Sequence, residues 1–227
     1  MSDDATGIVD DEQLEEALGD VPVFPLPQVV LLPGARLPLH IFEPRYRTML
    51  RDCLASHRLL AVAILAPPAS AAPNAPHPPI ARIAGVGKVV EHEPLPDGRS
   101  NILVVGQARV LLDELPFHPP YRRAHATVLV DRPVSVPEHE KAALVSAAAG
   151  FASEVKKHDP TFTLRLPRQH DAGALADACA HQLVIDPEVR MRLLEETDPL
   201  VRVRVVVAEI ARQQGALGRE PGGGVLN

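Results

Sequence analysis

The chain has 227 residues, of which 46% are hydrophobic but only 3% aromatic, so any core must be mainly aliphatic. No apolar run reaches the ~20 residues needed to span a membrane, and the acidic N-terminus does not resemble a secretory signal, so we expect a cytoplasmic protein. Eight acidic residues among the first twenty account for the net charge of −6, and the nearly neutral remainder argues against nucleic-acid binding.

The first part of the chain is predicted to be extended after an acidic, disordered leader at residues 1–20. Five prolines between positions 22 and 38 forbid a helix there. Within this stretch Val29–Leu32 is predicted to be a short strand, and Leu37–Ile41 a second extended piece. A helix is predicted to begin at Pro44, because apolar residues then recur at helical spacing: Tyr46, Met49, Leu50, Cys53 and Leu54.

The middle of the chain carries strand signals. Leu59–Leu65 is predicted to be a buried strand, and the proline-rich segment Ala66–Pro79 a long loop. The pair Asp97-Gly98 predicts a hairpin turn, and Tyr121–Val130 supplies a last strand.

After Pro133 and Pro137 the apolar residues no longer alternate with polar ones and recur instead at helical spacing. Asp186-Pro187 and Asp198-Pro199 each predict a helix start, an acidic N-cap followed by proline. The last helix is predicted to end at Gly215 and to bury four apolar residues: Leu200, Val203, Val207 and Ile210. The order of elements indicates an α+β fold.

Three stretches in this order resemble the N-terminal substrate-binding domain of Lon proteases, especially its short stand-alone members. They are FPLPQVVLLPGARLPLHIFEPRYRTML, GVGKVVEHEPLPDGRSNILVVGQARVLL and LADACAHQLVIDPEVRMRLLEETDPLVRVRVVVAEI, which together span about Val21–Arg212. The resemblance implies a PUA-like β pseudo-barrel with one early helix, followed by an α-helical bundle. We therefore expect a barrel lobe at residues 21–133, a helical lobe at 134–214 and a flexible tail at 215–227.

The resemblance implies substrate capture, which Lon proteases couple to an attached ATPase and peptidase. Neither an ATPase nor a peptidase is expected here. The sequence contains no G-x-x-x-x-G-K-[ST] phosphate loop and no G-x-S-x-G elbow, and it ends before a peptidase could begin. We expect a stand-alone, non-catalytic module without cofactors, acting as an adaptor or regulator. Its expected partners are unfolded or tagged polypeptides, with a protease or chaperone as a further candidate.

RNA binding is the alternative hypothesis, since PUA-like barrels often bind RNA. The nearly neutral body and the scarcity of aromatic residues for base stacking argue against it. A nucleic-acid partner is therefore not expected.

The candidate polypeptide-binding residues lie at the start of the early helix and at the hairpin tip. Glu43, Arg45, Tyr46 and Arg47 form a compact mixed-charge cluster, and Arg99 follows the Asp97-Gly98 turn. Arginine and tyrosine are favoured at interfaces, so a groove beside this helix is predicted to hold extended polypeptide. The competing interpretation is an ion-pair network that fastens the helix to the barrel.

No metal site or disulfide is expected. His40 and Glu43 have no third ligand nearby in sequence, so His40 is predicted to form a hydrogen bond at the strand-to-helix corner. Cys53 and Cys179 lie far apart on apolar helical stripes and are predicted to be buried thiols.

Overall fold

The computed structural model describes Leu14 and residues 17–66, 78–167 and 171–217. In chain order the elements are β1 (Val21–Leu26), β2 (Arg36–Ile41), α1 (Pro44–Ala55), β3 (Leu59–Ile64), β4 (Ile83–Pro94), β5 (Ser100–Glu114), β6 (Arg122–Val128), α2 (Glu138–His158), α3 (Ala172–Leu183), α4 (Pro187–Glu195) and α5 (Pro199–Leu217). A 3-10 turn at Leu18–Asp20 precedes β1. The predicted α+β class is confirmed.

The chain divides into two compact units. The strand-rich unit comprises Met1–Val130 and Pro187–Glu195, and the helical unit comprises Asp131–Asp186 and Glu196–Asn227. The helix α4 belongs to the strand-rich unit, where the buried Arg109 of β5 donates from Nε to the carbonyl oxygen of Leu194 at 3.3 Å. The sequence-based boundaries of 21–133 and 134–214 assign α4 to the other lobe, and they stay a prediction.

Five strands of the strand-rich unit close into a ring. The pairings run β5-β4-β3-β1-β6, and β6 pairs back onto β5. The neighbours β1 and β3 are parallel, and the other pairs are antiparallel. The sixth strand, β2, pairs with the first part of β5, whereas β6 pairs with its last part. This ring is the pseudo-barrel that the family resemblance implies.

The interior of the ring is aliphatic, as the composition requires. Its buried residues include Val21, Val23, Leu59, Ala61, Val86, Val110, Leu112 and Ala124. Ala17 and Leu18 join this cluster, so buried chain begins before β1. Most of the predicted leader, most of the predicted loop 66–79 and most of the predicted tail lie outside the described residues.

The predicted short strand at Val29–Leu32 is wrong. This segment is irregular but deeply buried, and its backbone lies directly against two strands. A Cβ added to Gly85 would lie 1.9 Å from the Leu31 carbonyl oxygen, and one added to Gly106 would lie 2.2 Å from that of Leu32. Glycine at both positions allows this close approach, which alternation in a local window does not reveal.

The helical unit packs α2 and α3 against α5. The buried positions of α5 include Val203, Val206 and Ile210, whereas Leu200 and Val207 are only partly buried, so the predicted stripe is shifted. The helix also continues through the exposed Gly215, where a stop was predicted. The buried face also includes the charged Arg202, which the predicted stripe leaves out and which is fully buried in this unit.

Candidate functional site

A pocket of about 350 Å³ lies in the strand-rich unit, bordered by β1, the end of β2, the start of α1 and the segment leading into β6. Five aromatic residues line it: Phe24, Phe42, Tyr46, Phe117 and Tyr121. Four prolines complete much of the remaining wall: Pro25, Pro27, Pro78 and Pro120. The volume is at the lower end of the range for ligand pockets, which suits one or two side chains.

Most of the aromatic side chains of the protein lie around this pocket. The sequence contains five phenylalanines, two tyrosines and no tryptophan, and five of these seven residues line the pocket. Phe42 is 57% exposed and Phe117 is 42% exposed, so two of the rings present apolar surface to solvent. Aromatic rings usually supply core packing, as the buried Phe24, Tyr46 and Tyr121 do here, so the two exposed rings are the ones that can contact a bound group.

The start of α1 forms one wall. Glu43 is the extended residue before Pro44, and its side chain accepts a hydrogen bond from Arg45 Nε at 2.9 Å. The Arg45 guanidinium lies 4.5 Å from the centroid of the Tyr46 ring, and that ring lies 4.5 Å from the ring of Phe24. Burial raises the pKa of the Tyr46 phenol, so it stays neutral. The structure thus brings Glu43, Arg45 and Tyr46 together at the pocket.

The other two predicted site residues lie at the hairpin turn. Arg47 is exposed and packs against Gly98, where an added Cβ would lie 2.0 Å from Arg47 Nη2. Arg99 donates from Nε to Asp97 Oδ2 at 2.6 Å. Neither arginine lines the pocket, so the predicted cluster is divided between two places.

Sequence reasoning missed several pocket residues on the far wall. Tyr121 donates its hydroxyl to Asp52 Oδ2 at 2.8 Å, and burial together with this hydrogen bond raises the pKa of Tyr121 to about 12. Arg122 donates to Glu114 at 2.7 Å and to the Pro78 carbonyl oxygen at 2.5 Å. The available signal was scarcity: in a chain with so few aromatic residues, each aromatic residue next to a proline is informative.

The charges around the pocket are paired. Arg45 is matched by Glu43, and Arg122 by Glu114. A charged side chain that enters this pocket would lose its hydration without gaining an unpaired partner. The pocket therefore favours uncharged side chains over acidic or basic ones.

His40 occupies the strand-to-helix corner, with Nδ1 2.8 Å from Asn101 Oδ1. Among the residues that the structure describes, no group of three or more histidine, cysteine or acidic side chains is arranged to hold a metal ion. None of the described helices is both long and apolar enough to cross a membrane.

Fold and sequence together place the chain in a known class of substrate-binding domains. It belongs to the family of the ATP-dependent protease La (Lon) substrate-binding domain, whose family model matches residues 20–212. The family resemblance drawn from the sequence is confirmed.

Two relatives illustrate the match. The Lon protease of Roseiflexus castenholzii is 29% identical over 202 residues, which cover 87% of this chain and 24% of that protein. The Lon protease of Trichlorobacter lovleyi is 28% identical over 202 residues, with the same coverage of 87% and 24%. The chain therefore spans about a quarter of the length of these curated relatives.

Solved structures agree on the fold. The N-terminal domain of Mycobacterium avium complex Lon protease superposes with a TM-score of 0.60 at 17% identity, covering 85% of this chain and 98% of that one. A Lon N-terminal domain protein from Xanthomonas campestris gives a TM-score of 0.57 at 20% identity, with 89% and 99% covered. At these identities the likeness establishes the fold alone.

Proposed function

We propose that this chain is a non-catalytic polypeptide-binding module whose aromatic pocket receives uncharged apolar side chains of extended or unfolded polypeptides. The observation that carries the proposal is the placement of five of the seven aromatic residues around one pocket. Membership of the substrate-binding family also supports polypeptide binding as the function.

The energetic basis is the exposed surface of the two open rings. Covering the exposed parts of Phe42 and Phe117 removes apolar area from water, which contributes roughly 2–3 kcal/mol for each ring before the cost of ordering the guest. That sum suits weak, reversible capture of many sequences, as an adaptor or regulator requires. The partners that fit are unfolded or tagged polypeptides, passed on to a protease or chaperone.

The polar residues of the pocket support binding over catalysis. Glu43 is engaged by Arg45, and His40 is engaged by Asn101, so neither stands beside a nucleophile as a general base. Among the described residues that line the pocket there is no serine, threonine, cysteine or lysine. RNA binding is the competing hypothesis. In that case the bases would stack on the same aromatic rings.

The test is binding of a fluorescein-labelled, chemically unfolded polypeptide, followed by fluorescence anisotropy. Phe42→Ala is expected to weaken binding about tenfold, because it removes the most exposed ring of the pocket. The matched control is Val130→Ala, which removes an apolar side chain that is 78% exposed and does not line the pocket.

Equal loss in both variants, or no binding by the unmodified protein, contradicts the proposal. A labelled single-stranded RNA is titrated in parallel. If it binds and competes while the polypeptide does not, the RNA hypothesis replaces this one.

A further inference from the structure

Two strand edges border the pocket without a neighbouring strand among the described residues. β1 pairs with β6 only over Val21–Val23, so Phe24–Leu26 have β3 on one side and the pocket on the other. β2 is the terminal strand of the sheet and pairs with β5 along one edge. The end of β2, from Leu39, lines the same pocket. An unpaired strand edge is a template for a further strand.

The register shows which peptide groups of β2 point outward. Gly106 N–H donates to the Ala35 carbonyl oxygen at 2.9 Å, and Arg36 pairs with Val105. In an antiparallel ladder this pattern directs the peptide groups of Leu37, Leu39 and Ile41 toward β5. The alternate residues Arg36, Pro38 and His40 direct theirs to the open edge. Pro38 fits this assignment, because its missing N–H falls where the ladder does not need one.

The facing edge of β1 has a different chemistry. Leu65 N–H donates to the Leu26 carbonyl oxygen at 3.2 Å, so Phe24 and Leu26 direct their peptide groups toward β3. Pro25 therefore points to the open edge, where it offers a carbonyl but no N–H. A guest strand finds both a donor and an acceptor at His40 of β2, and only an acceptor at Pro25.

We infer that polypeptide captured in the pocket adds to β2 as an extended strand, exchanging backbone hydrogen bonds with the His40 peptide group while alternate side chains enter the aromatic pocket. This inference rests on the proposed function and specifies its mode. Backbone pairing supplies affinity without regard to sequence, and the pocket selects apolar residues at every second position. The paired charges of the wall make the occupant an uncharged segment.

The decisive protein variants are His40→Pro and His40→Ala. Proline at position 40 removes the outward N–H and leaves the β2–β5 ladder intact, as Pro38 already does on the same edge. Alanine removes the imidazole and its contact with Asn101 but keeps the N–H. The probe is a fluorescein-labelled peptide with phenylalanine at alternate positions and serine between them.

His40→Pro is expected to bind this peptide at least about tenfold more weakly than His40→Ala, at a similar melting temperature. If the proline variant does not fold, the inference is tested by measuring how N-methylated peptides bind to the unmodified protein. Methylating the backbone nitrogens of one alternate set of residues abolishes binding, and methylating the other set does not.

Equal binding by the two folded variants, or by the two methylated peptides, overturns the inference. When Phe42→Ala still weakens binding in that case, the pocket binds polypeptide by side chains alone, and the proposed function stands. If the unmodified protein binds neither the peptide nor an unfolded polypeptide, the proposed function fails as well.

Discussion

Two arginines, one in each unit, show how differently the two parts of the molecule use charge. In the helical unit Arg202 is fully buried and donates to Asp131 at 2.5 and 2.8 Å, to the Glu196 carbonyl oxygen at 2.9 Å, and lies 3.4 Å from Asp177. In the strand-rich unit Arg45 remains 45% exposed beside the open pocket. A buried cation surrounded by acceptors fastens helices together, whereas an exposed one over a ring shapes a surface.

Arg202→Ala is expected to have the largest effect of the variants that test this comparison. It leaves Asp177 buried without its cation, which costs about 3–5 kcal/mol. Urea unfolding followed by circular dichroism measures the loss. Arg204→Ala is the control, since Arg204 lies on the same helix, pairs with Glu140 at 2.7 Å and is 61% exposed. Its pair contributes ~1 kcal/mol or less, and equal losses in the two variants contradict the assignment.

Arg45→Ala and Arg47→Ala test the role of exposed arginines in the strand-rich unit. Arg45 lies on the pocket wall, so its removal is expected to weaken capture of an unfolded polypeptide several-fold, through the lost contact with Tyr46. Arg47 packs on the hairpin at Gly98 and should leave capture unchanged. The exposed Arg45–Glu43 pair contributes ~0–1 kcal/mol to folding and Arg47 is exposed, so both variants should melt close to the unmodified protein.

If Arg47→Ala weakens capture and Arg45→Ala leaves it unchanged, the binding site lies at the hairpin turn and not at the pocket. Early melting with normal capture, for either variant, would instead favour the interpretation that the cluster serves only to hold α1 in place.

How much of this the sequence predicts depends on how local each signal is. The helix start at Pro44, the hairpin at Asp97-Gly98 and the two Asp-Pro helix starts were all predicted, because turn and capping chemistry is contained in adjacent residues. The irregular burial of Leu31 was missed, since it depends on glycines more than fifty residues away.

A groove beside the early helix was predicted, but the aromatic lining of the pocket could not be, for the same reason. Its aromatic rings come from β1, the β2–α1 corner, α1 and the segment before β6, which only the closed ring of strands brings together. The predicted buried stripe of the last helix also left out Arg202, because a charged residue counts as polar regardless of the partners that tertiary structure supplies. The predicted binding residues Glu43, Arg45 and Tyr46 do meet at the pocket, and their role in binding stays a prediction.

Alkaline pH is expected to produce the most gradual change. Burial raises the pKa of Tyr121 to about 12, from 10.0, and burial raises the pKa of Cys53 and Cys179 to about 12, from 9.0. The unfolded chain loses these protons first, so their contribution is complete below the unfolded pKa values and is lost as pH rises toward 12.

Urea titrations across this range measure the decline in the free energy of unfolding. Tyr121→Phe should decline less steeply above pH 10, because the phenol that the fold keeps neutral is absent. An identical slope in the variant, or a stability that rises with pH, refutes the assignment.

Hydrogen exchange with and without an unfolded polypeptide tests the central claim, that the pocket of the strand-rich unit captures polypeptide. We predict that bound polypeptide slows exchange of backbone amides at residues 36–46, which comprise β2 and the start of α1, and at residues 117–122, and that α5 in the helical unit is unchanged. Protection confined to the helical unit, or absent from both stretches when polypeptide is bound, would contradict the account.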